Sequence, residues 1–154
     1  MTQRSILYKA AKQYLHSQLF RFTEDPARFE LTYPVALSPA LGECVVTVST
    51  EEKGVFFRAK FPEKAQPEHL AAVAEYITRA NCGMKSGGLE LDYATGEVWF
   101  KNFLRCDAAV PSLSDLQFCN DTCFLMLRRY GDGLVKNMTG AGHPAEDVKE
   151  AEKP

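Results

Sequence analysis

Two cysteines of the chain are spaced as a pair of helical metal ligands would be. Cys119 and Cys123 are four residues apart, so one face of a helix would carry both thiols. A structural zinc site needs four ligands, however, and the sequence has no C-x-x-C motif and only three histidines, at His16, His69 and His143. We therefore expect both cysteines to be small apolar residues of a buried helical stripe, with no metal site and no cofactor.

The side chains that could act in catalysis form no recognisable constellation. A nucleophilic enzyme needs a cysteine or a serine, a base, and a third group that orients the base. His69 falls at a predicted solvated helix start, and no spacing joins a histidine to a cysteine. Glu90 and Asp92 share one face of a predicted strand, which is typical of a polar surface. We expect no catalytic residue; the alternative is a thiol- or metal-dependent enzyme that uses Cys119 and Cys123.

Size, composition and charge exclude several classes of protein. A chain of 154 residues, 45% hydrophobic and 25% charged, has the composition of one globular domain. The formal net charge of -2 lacks the basic footprint of phosphate binding, so we expect no nucleic-acid partner. No apolar run approaches the ~20 residues of a membrane span, so we expect no membrane association. Five cysteines without a signal-peptide core predict reduced thiols and a cytoplasmic location.

The first half of the chain predicts one helix followed by three strands. Apolar residues recur at helical spacing over residues 5–19. Three extended segments follow at residues 29–35, 43–50 and 54–61. The short polar turn between the last two predicts an antiparallel hairpin.

The second half predicts a helix, a hairpin and a longer helix. Pro67 opens a helix that Gly83 is expected to end as a C-terminal cap. A hairpin over residues 89–104 turns at Gly96, for which we expect a left-handed backbone. The last helix begins near residues 112–114, and Gly131 and Gly133 are expected to bend or break it. The polar stretch after residue 140 is either frayed or a short helix at residues 145–151.

The order of elements indicates the fold class. Helix, three strands, helix, two strands and helix, with the strands joined by hairpins, predict an α+β protein. We expect an antiparallel sheet of about five strands with helices packed on it. One domain would cover residues 1–140, followed by a polar tail or short helix over residues 141–154.

The segment between the second helix and the strand after it carries a recognisable motif. A helix that ends in Asn81 leads to the strand Gly88-Leu-Glu-Leu-Asp92, an acidic turn with Gly96, and an alternating strand. This pattern resembles the YbjN-like family of small bacterial proteins, which shares its fold with the chaperones of type III secretion systems. The resemblance implies a chaperone-like fold, a homodimer, and a role in regulation or protein binding. It supplies no catalytic residue.

The sequence holds more apolar residues than one small core requires. Residues 123–127 are apolar at five consecutive helical positions, and residues 97–104 carry aromatic side chains on both faces of a strand. Either the first helix and the loops cover this excess, or it forms a dimer or partner interface. The candidate contact residues are Phe56, Trp99, Phe103, Phe118 and Leu125.

These observations favour a non-catalytic protein-binding module, chaperone-like or regulatory, that acts as a homodimer. The identity of its protein partner does not follow from the sequence. Besides the thiol- or metal-dependent enzyme, a small-molecule sensor with a ligand between sheet and helices remains an alternative.

Overall fold

A computed structural model describes all residues, Met1–Pro154. The helices are α1 (Gln3–Ser17), α2 (Leu70–Asn81), α3 (Leu113–Met138) and α4 (Pro144–Ala151), and a short 3-10 turn at Pro67–His69 precedes α2. The strands are β1 (Thr23–Asp25), β2 (Glu30–Ser38), β3 (Gly42–Glu51), β4 (Gly54–Lys64), β5 (Gly88–Leu91) and β6 (Glu97–Arg105). No helix of the chain has both the length and the apolarity needed to cross a membrane.

All six strands form one antiparallel sheet in the order β1-β2-β3-β4-β6-β5. The predicted α+β class and the antiparallel sheet are confirmed, and the sheet has one strand more than expected. The additional strand is β1, which pairs Thr23 with Thr32 and Asp25 with Glu30. Its three residues are all exposed, so no hydrophobic alternation marks it in the sequence.

One face of the sheet forms the core, and strand alternation decides which residues lie there. On β4 the side chains of Val55, Phe57, Ala59 and Phe61 are buried, whereas the residues between them are only partly covered. Helices α1, α2 and α3 pack on the buried face, where they contact β3, β5 and β6 respectively. No helix covers the opposite face, which we call the open face.

Helix α3 runs without a break through Gly131 and Gly133, so a break of the helix at these glycines is wrong. Both glycines are positions of close packing. A Cβ at Gly131 would lie 2.5 Å from Leu41 Cδ1, and one at Gly133 would lie 2.3 Å from Tyr76 Oη. Glycine therefore allows neighbouring side chains to approach the helix backbone, and helical hydrogen bonding continues past both positions.

Gly83 follows the C-cap residue Cys82, at the position predicted for a terminal glycine of α2, but it lacks the left-handed backbone of such a cap. The helix ends at Asn81, and Gly83 continues the turn through a hydrogen bond from its N–H to Ala80 O. The left-handed glycine of this connection is Gly87, with a φ of +72°. Gly96 adopts a φ of +76°, as expected for the turn of the second hairpin.

The polar C-terminal segment contains a helix rather than a frayed end. Helix α4 packs on α2 and α3 and buries Val148. Tyr130 Oη donates to Glu152 Oε1 at 2.9 Å, and Arg129 Nε donates to Ala151 O at 3.1 Å. These contacts hold the last turn of the chain against α3.

Substitution of Leu19 with glycine is expected to raise the free energy of unfolding by roughly 0.5–1 kcal/mol. Leu19 lies just after α1 with a φ of +61°, and its side chain is 88% exposed. The position corresponds to the glycine of a helix C-terminal motif, since Phe20 N–H donates to Leu15 O across it. Urea denaturation would measure the change. Leu19→Ala is the control, because it removes the apolar side chain and keeps the Cβ; equal stability of the two variants would contradict the prediction.

Candidate protein-binding face

The five candidate contact residues lie on two different surfaces. Phe56, Trp99 and Phe103 are on the open face of the sheet, where Phe103 is 46% exposed and the other two are half-buried. Phe118 and Leu125 are exposed on the outer side of α3. The structure therefore brings three of the five together and separates the remaining two from them.

Adjacent strands β4 and β6 arrange aromatic and cationic side chains in three rows on the open face. The register places Lys60 opposite Trp99, Arg58 opposite Lys101, and Phe56 opposite Phe103. We call these six residues the aromatic–cationic grid. The three cations are interspersed among the three rings, because the side-chain period of two brings every second residue of each strand to this face.

Contacts within the grid hold the rings in place. The guanidinium carbon of Arg58 is 4.3 Å from the centroid of the Trp99 ring, and Lys101 Nζ is 5.6 Å from that of Phe56. The rings of Phe56 and Phe103 are 5.4 Å apart at an interplanar angle of 50°. Cation–π and aromatic pairs of this kind restrict rotamers. The rings of the grid therefore pack against one another and against its cations in the free chain.

The charges of the grid are only partly neutralised. Lys101 Nζ lies 2.5 Å from Glu90 Oε1, and Lys60 Nζ lies 4.0 Å from Glu97 Oε2. Arg58 takes part in no ion pair, and its Nε–H has no hydrogen-bond partner. Tryptophan and arginine are enriched at binding hot spots, so we take Arg58 and Trp99 as the main contact candidates of this face.

The second surface is a stripe on the outer side of α3. Phe118 and Leu125 are seven residues apart, which is two helical turns and hence the same side of the helix. The opposite side of α3 carries Cys119, Cys123 and Leu127 into the core. The stripe therefore faces away from the sheet, and one ligand cannot contact it and the grid at once without wrapping around the protein.

The two cysteines of α3 are in an environment that suppresses thiol chemistry. Cys123 is fully buried, and Cys119 is nearly so. Burial raises the pKa of the Cys119 thiol to about 11, with a further contribution from the charge of Asp115. Burial also raises the pKa of Cys123 well above its ordinary value. Because the thiolate is the reactive form and the metal ligand, this environment disfavours both roles. No group of three or more metal-ligating side chains is present.

None of the contact residues predicted from the sequence is a cation. Arg58 and Lys60 alternate with the buried residues of β4, so their place on the same face as Phe56 could have been read from the sequence. The pairing of β4 with β6 could not be predicted from the sequence, because α2 and β5 lie between these strands in the chain. Only that pairing brings Arg58 to Trp99.

The fold and the candidate face together define an α+β protein with one helix-covered and one open sheet face. The structure is similar to the crystal structure of YbjN from E. coli, for which a role as a transcription regulator has been proposed. The two share a TM-score of 0.62 at 11% sequence identity, over 80% of this chain and 90% of YbjN. The YbjN-like fold inferred from the hairpin motif is confirmed. The sequence matches no family model and, at a significant level, no curated protein.

Proposed function

We propose that the chain is a non-catalytic binding module, chaperone-like or regulatory, that acts as a homodimer and binds a protein partner. The observation that carries this proposal is the aromatic–cationic grid, a partly exposed surface that no helix of the chain covers. Aromatic residues and arginine are enriched at the centres of protein interfaces. The role proposed for YbjN in transcription regulation supports the regulatory part of the proposal.

The homodimer of the proposal uses the outer stripe of α3. A two-fold antiparallel pairing of two α3 helices would place Phe118 of one copy against Leu125 of the other. The stripe and the grid would then have separate roles, self-association and partner binding.

The proposal includes a cytoplasmic location. All five cysteines are free thiols, and four of them are buried. A compartment that keeps thiols reduced is the ordinary environment of such a protein.

Trp99→Ala is expected to weaken partner binding by a factor of about 30 or more, since hot-spot truncations cost about 2 kcal/mol or more. Phe118→Ala is expected to shift the solution mass from about twice 17.2 kDa towards 17.2 kDa. Light scattering coupled to size exclusion under reducing conditions measures the mass, and capture from a cell extract by immobilised protein measures binding. Tyr93→Ala is the matched control, because Tyr93 is 61% exposed and lies outside both surfaces.

The two variants separate the two parts of the proposal. If Trp99→Ala captured the same proteins as the wild type and the Tyr93→Ala control, the grid would not be the binding face. If the wild type had the mass of one chain, the homodimer would be wrong.

A further inference from the structure

Strand β6 extends beyond its neighbour β5. Their ladder ends at the pair Gly88–Lys101, while β6 continues to Arg105. The Asn81 side chain bonds both backbone groups of Leu89, so these groups point away from β6. The backbone groups of Gly88 and Lys101 therefore point towards each other. Phe103 is two residues after Lys101, so its backbone groups point to the same side of β6, where β5 has already ended. The segment from residue 102 to 105 therefore has an unpaired edge.

Side chains or proline protect the outer edge of β5 and part of the edge of β2. Asn81 Nδ2 donates to Leu89 O at 3.0 Å, and Leu89 N–H donates to Asn81 Oδ1 at 2.8 Å, so a side chain occupies the outer edge of β5. At the opposite end of the sheet, Pro34 has no N–H, and Arg128 Nε donates to Leu37 O at 2.7 Å. Proteins protect strand edges in this way because an exposed edge accepts another strand. Beside β6, Ser86 Oγ donates to Asn102 Oδ1 at 3.2 Å, but no group bonds the main chain of Phe103.

Two clefts lie near this edge. One, of about 520 Å³, is lined by Phe56, Phe103 and Asn102 among others. Asn102 is only 5% exposed, and its Nδ2 has no hydrogen-bond partner. The other, of about 450 Å³, is lined by residues that include Leu104 and Val110. Because neighbouring side chains of a strand project to opposite faces, a strand added here would place every second side chain beside Phe103 and the first cleft.

We propose that residues 102–105 of β6 bind an extended segment of a partner protein as an added strand that continues the line of β5. The inference rests on the proposed function of protein binding and names the form of the partner. The partner segment is extended and carries apolar side chains at alternate positions, one of which contacts Phe103. Main-chain hydrogen bonds to Phe103 supply affinity, and the cleft beside Phe103 supplies selectivity.

Hydrogen exchange of individual amides tests the proposal directly. The probe is a synthetic copy of a peptide selected from a random 12-residue phage library on the immobilised wild-type protein. In the free protein the Phe103 and Arg105 amides are expected to exchange fast, and those of Asn102 and Leu104, which face β4, to exchange slowly. A saturating peptide is expected to slow exchange at Phe103 at least tenfold and to leave the Asn102 rate unchanged. Selection of no peptide, or an unchanged Phe103 rate, would overturn the proposal.

A pair of substitutions separates backbone pairing from side-chain contact. Phe103→Pro removes an N–H that points away from β4, whereas Phe103→Ala keeps this N–H and removes the ring. Peptide affinity is expected to fall at least tenfold further in Phe103→Pro than in Phe103→Ala. Thermal unfolding of both variants checks the fold, and if the proline variant does not fold, the exchange measurement on the wild type decides.

Two further outcomes distinguish this inference from the proposed function. Trp99→Ala could abolish peptide binding while Phe103→Pro and Phe103→Ala bound the peptide with equal affinity. The grid would then still be the partner-binding surface, and the proposal of an added strand would be wrong. If the Phe103 amide of the free protein were protected at high protein concentration and exposed on dilution, a second copy would occupy the edge, and this would also overturn the proposal.

Discussion

Replacement of Gly133 with alanine is expected to lower the free energy of unfolding by about 2–4 kcal/mol. The new Cβ would lie 2.3 Å from Tyr76 Oη and 2.6 Å from two ring carbons, inside a core where Tyr76 is fully buried. Tyr76 Oη donates to Tyr130 O at 2.8 Å, so displacement of the ring would also break a buried hydrogen bond. Overpacking costs roughly 1–3 kcal/mol and the lost bond a similar amount, against a gain of up to about 1 kcal/mol in helix propensity.

Urea denaturation and thermal unfolding would measure this effect. Asp132→Ala is the matched control, because it introduces alanine in the same turn of α3 at an exposed position, where no loss of this size is expected. Tyr76→Phe removes the hydroxyl nearest to the new Cβ, so Gly133→Ala and Tyr76→Phe together should cost less than the sum of the two single changes. A Gly133→Ala protein as stable as the wild type would show that the contact between α2 and α3 is looser than the structure indicates.

Cys82 is expected to react with iodoacetamide at pH 8 at least roughly 100-fold faster than Cys119 and Cys123. Cys82 is exposed at the end of α2, whereas the two cysteines of α3 are buried. The pKa of about 11 for Cys119 leaves on the order of one thiol in a thousand ionised at pH 8. Reaction at either buried thiol also requires the structure to open.

Mass spectrometry of tryptic peptides at limiting reagent would measure the rate at each cysteine. In Cys82→Ser the fast phase should disappear, and the remaining thiols should react at the slow rates they have in the wild type. A fast-reacting Cys119 or Cys123 in that variant would contradict the prediction and would revive the thiol-dependent enzyme as an alternative.

Local patterns predicted the elements well where burial and backbone preference agree. The alternation of Val55, Phe57 and Ala59 with polar residues identified β4 and the face that it buries. The turn at Gly96 was predictable because a tight hairpin loop needs a left-handed residue. Strand β1 was missed because three exposed residues have no pattern to detect.

The errors at the glycines have a common cause. Glycine in a helical stretch indicates either a break or a close approach of another group, and the sequence alone does not distinguish the two. Gly131 and Gly133 are positions of close approach, to Leu41 and Tyr76 respectively. Their neighbours come from segments 90 and 57 residues away in the chain, so no local pattern could reveal them.

The sequence by itself determined the fold class, the order of the elements after β1 and the apolar residues in excess of the core, because these depend on short-range periodicity. The tertiary structure decided which of these residues act together. Pairing of β4 with β6 placed Arg58 on Trp99 and joined Phe56 to Phe103, while packing of α3 turned Phe118 and Leu125 to another surface. The difference in length between β5 and β6 left the edge at Phe103 open. Each of these depends on contacts between segments distant in the chain, which side-chain periodicity does not encode.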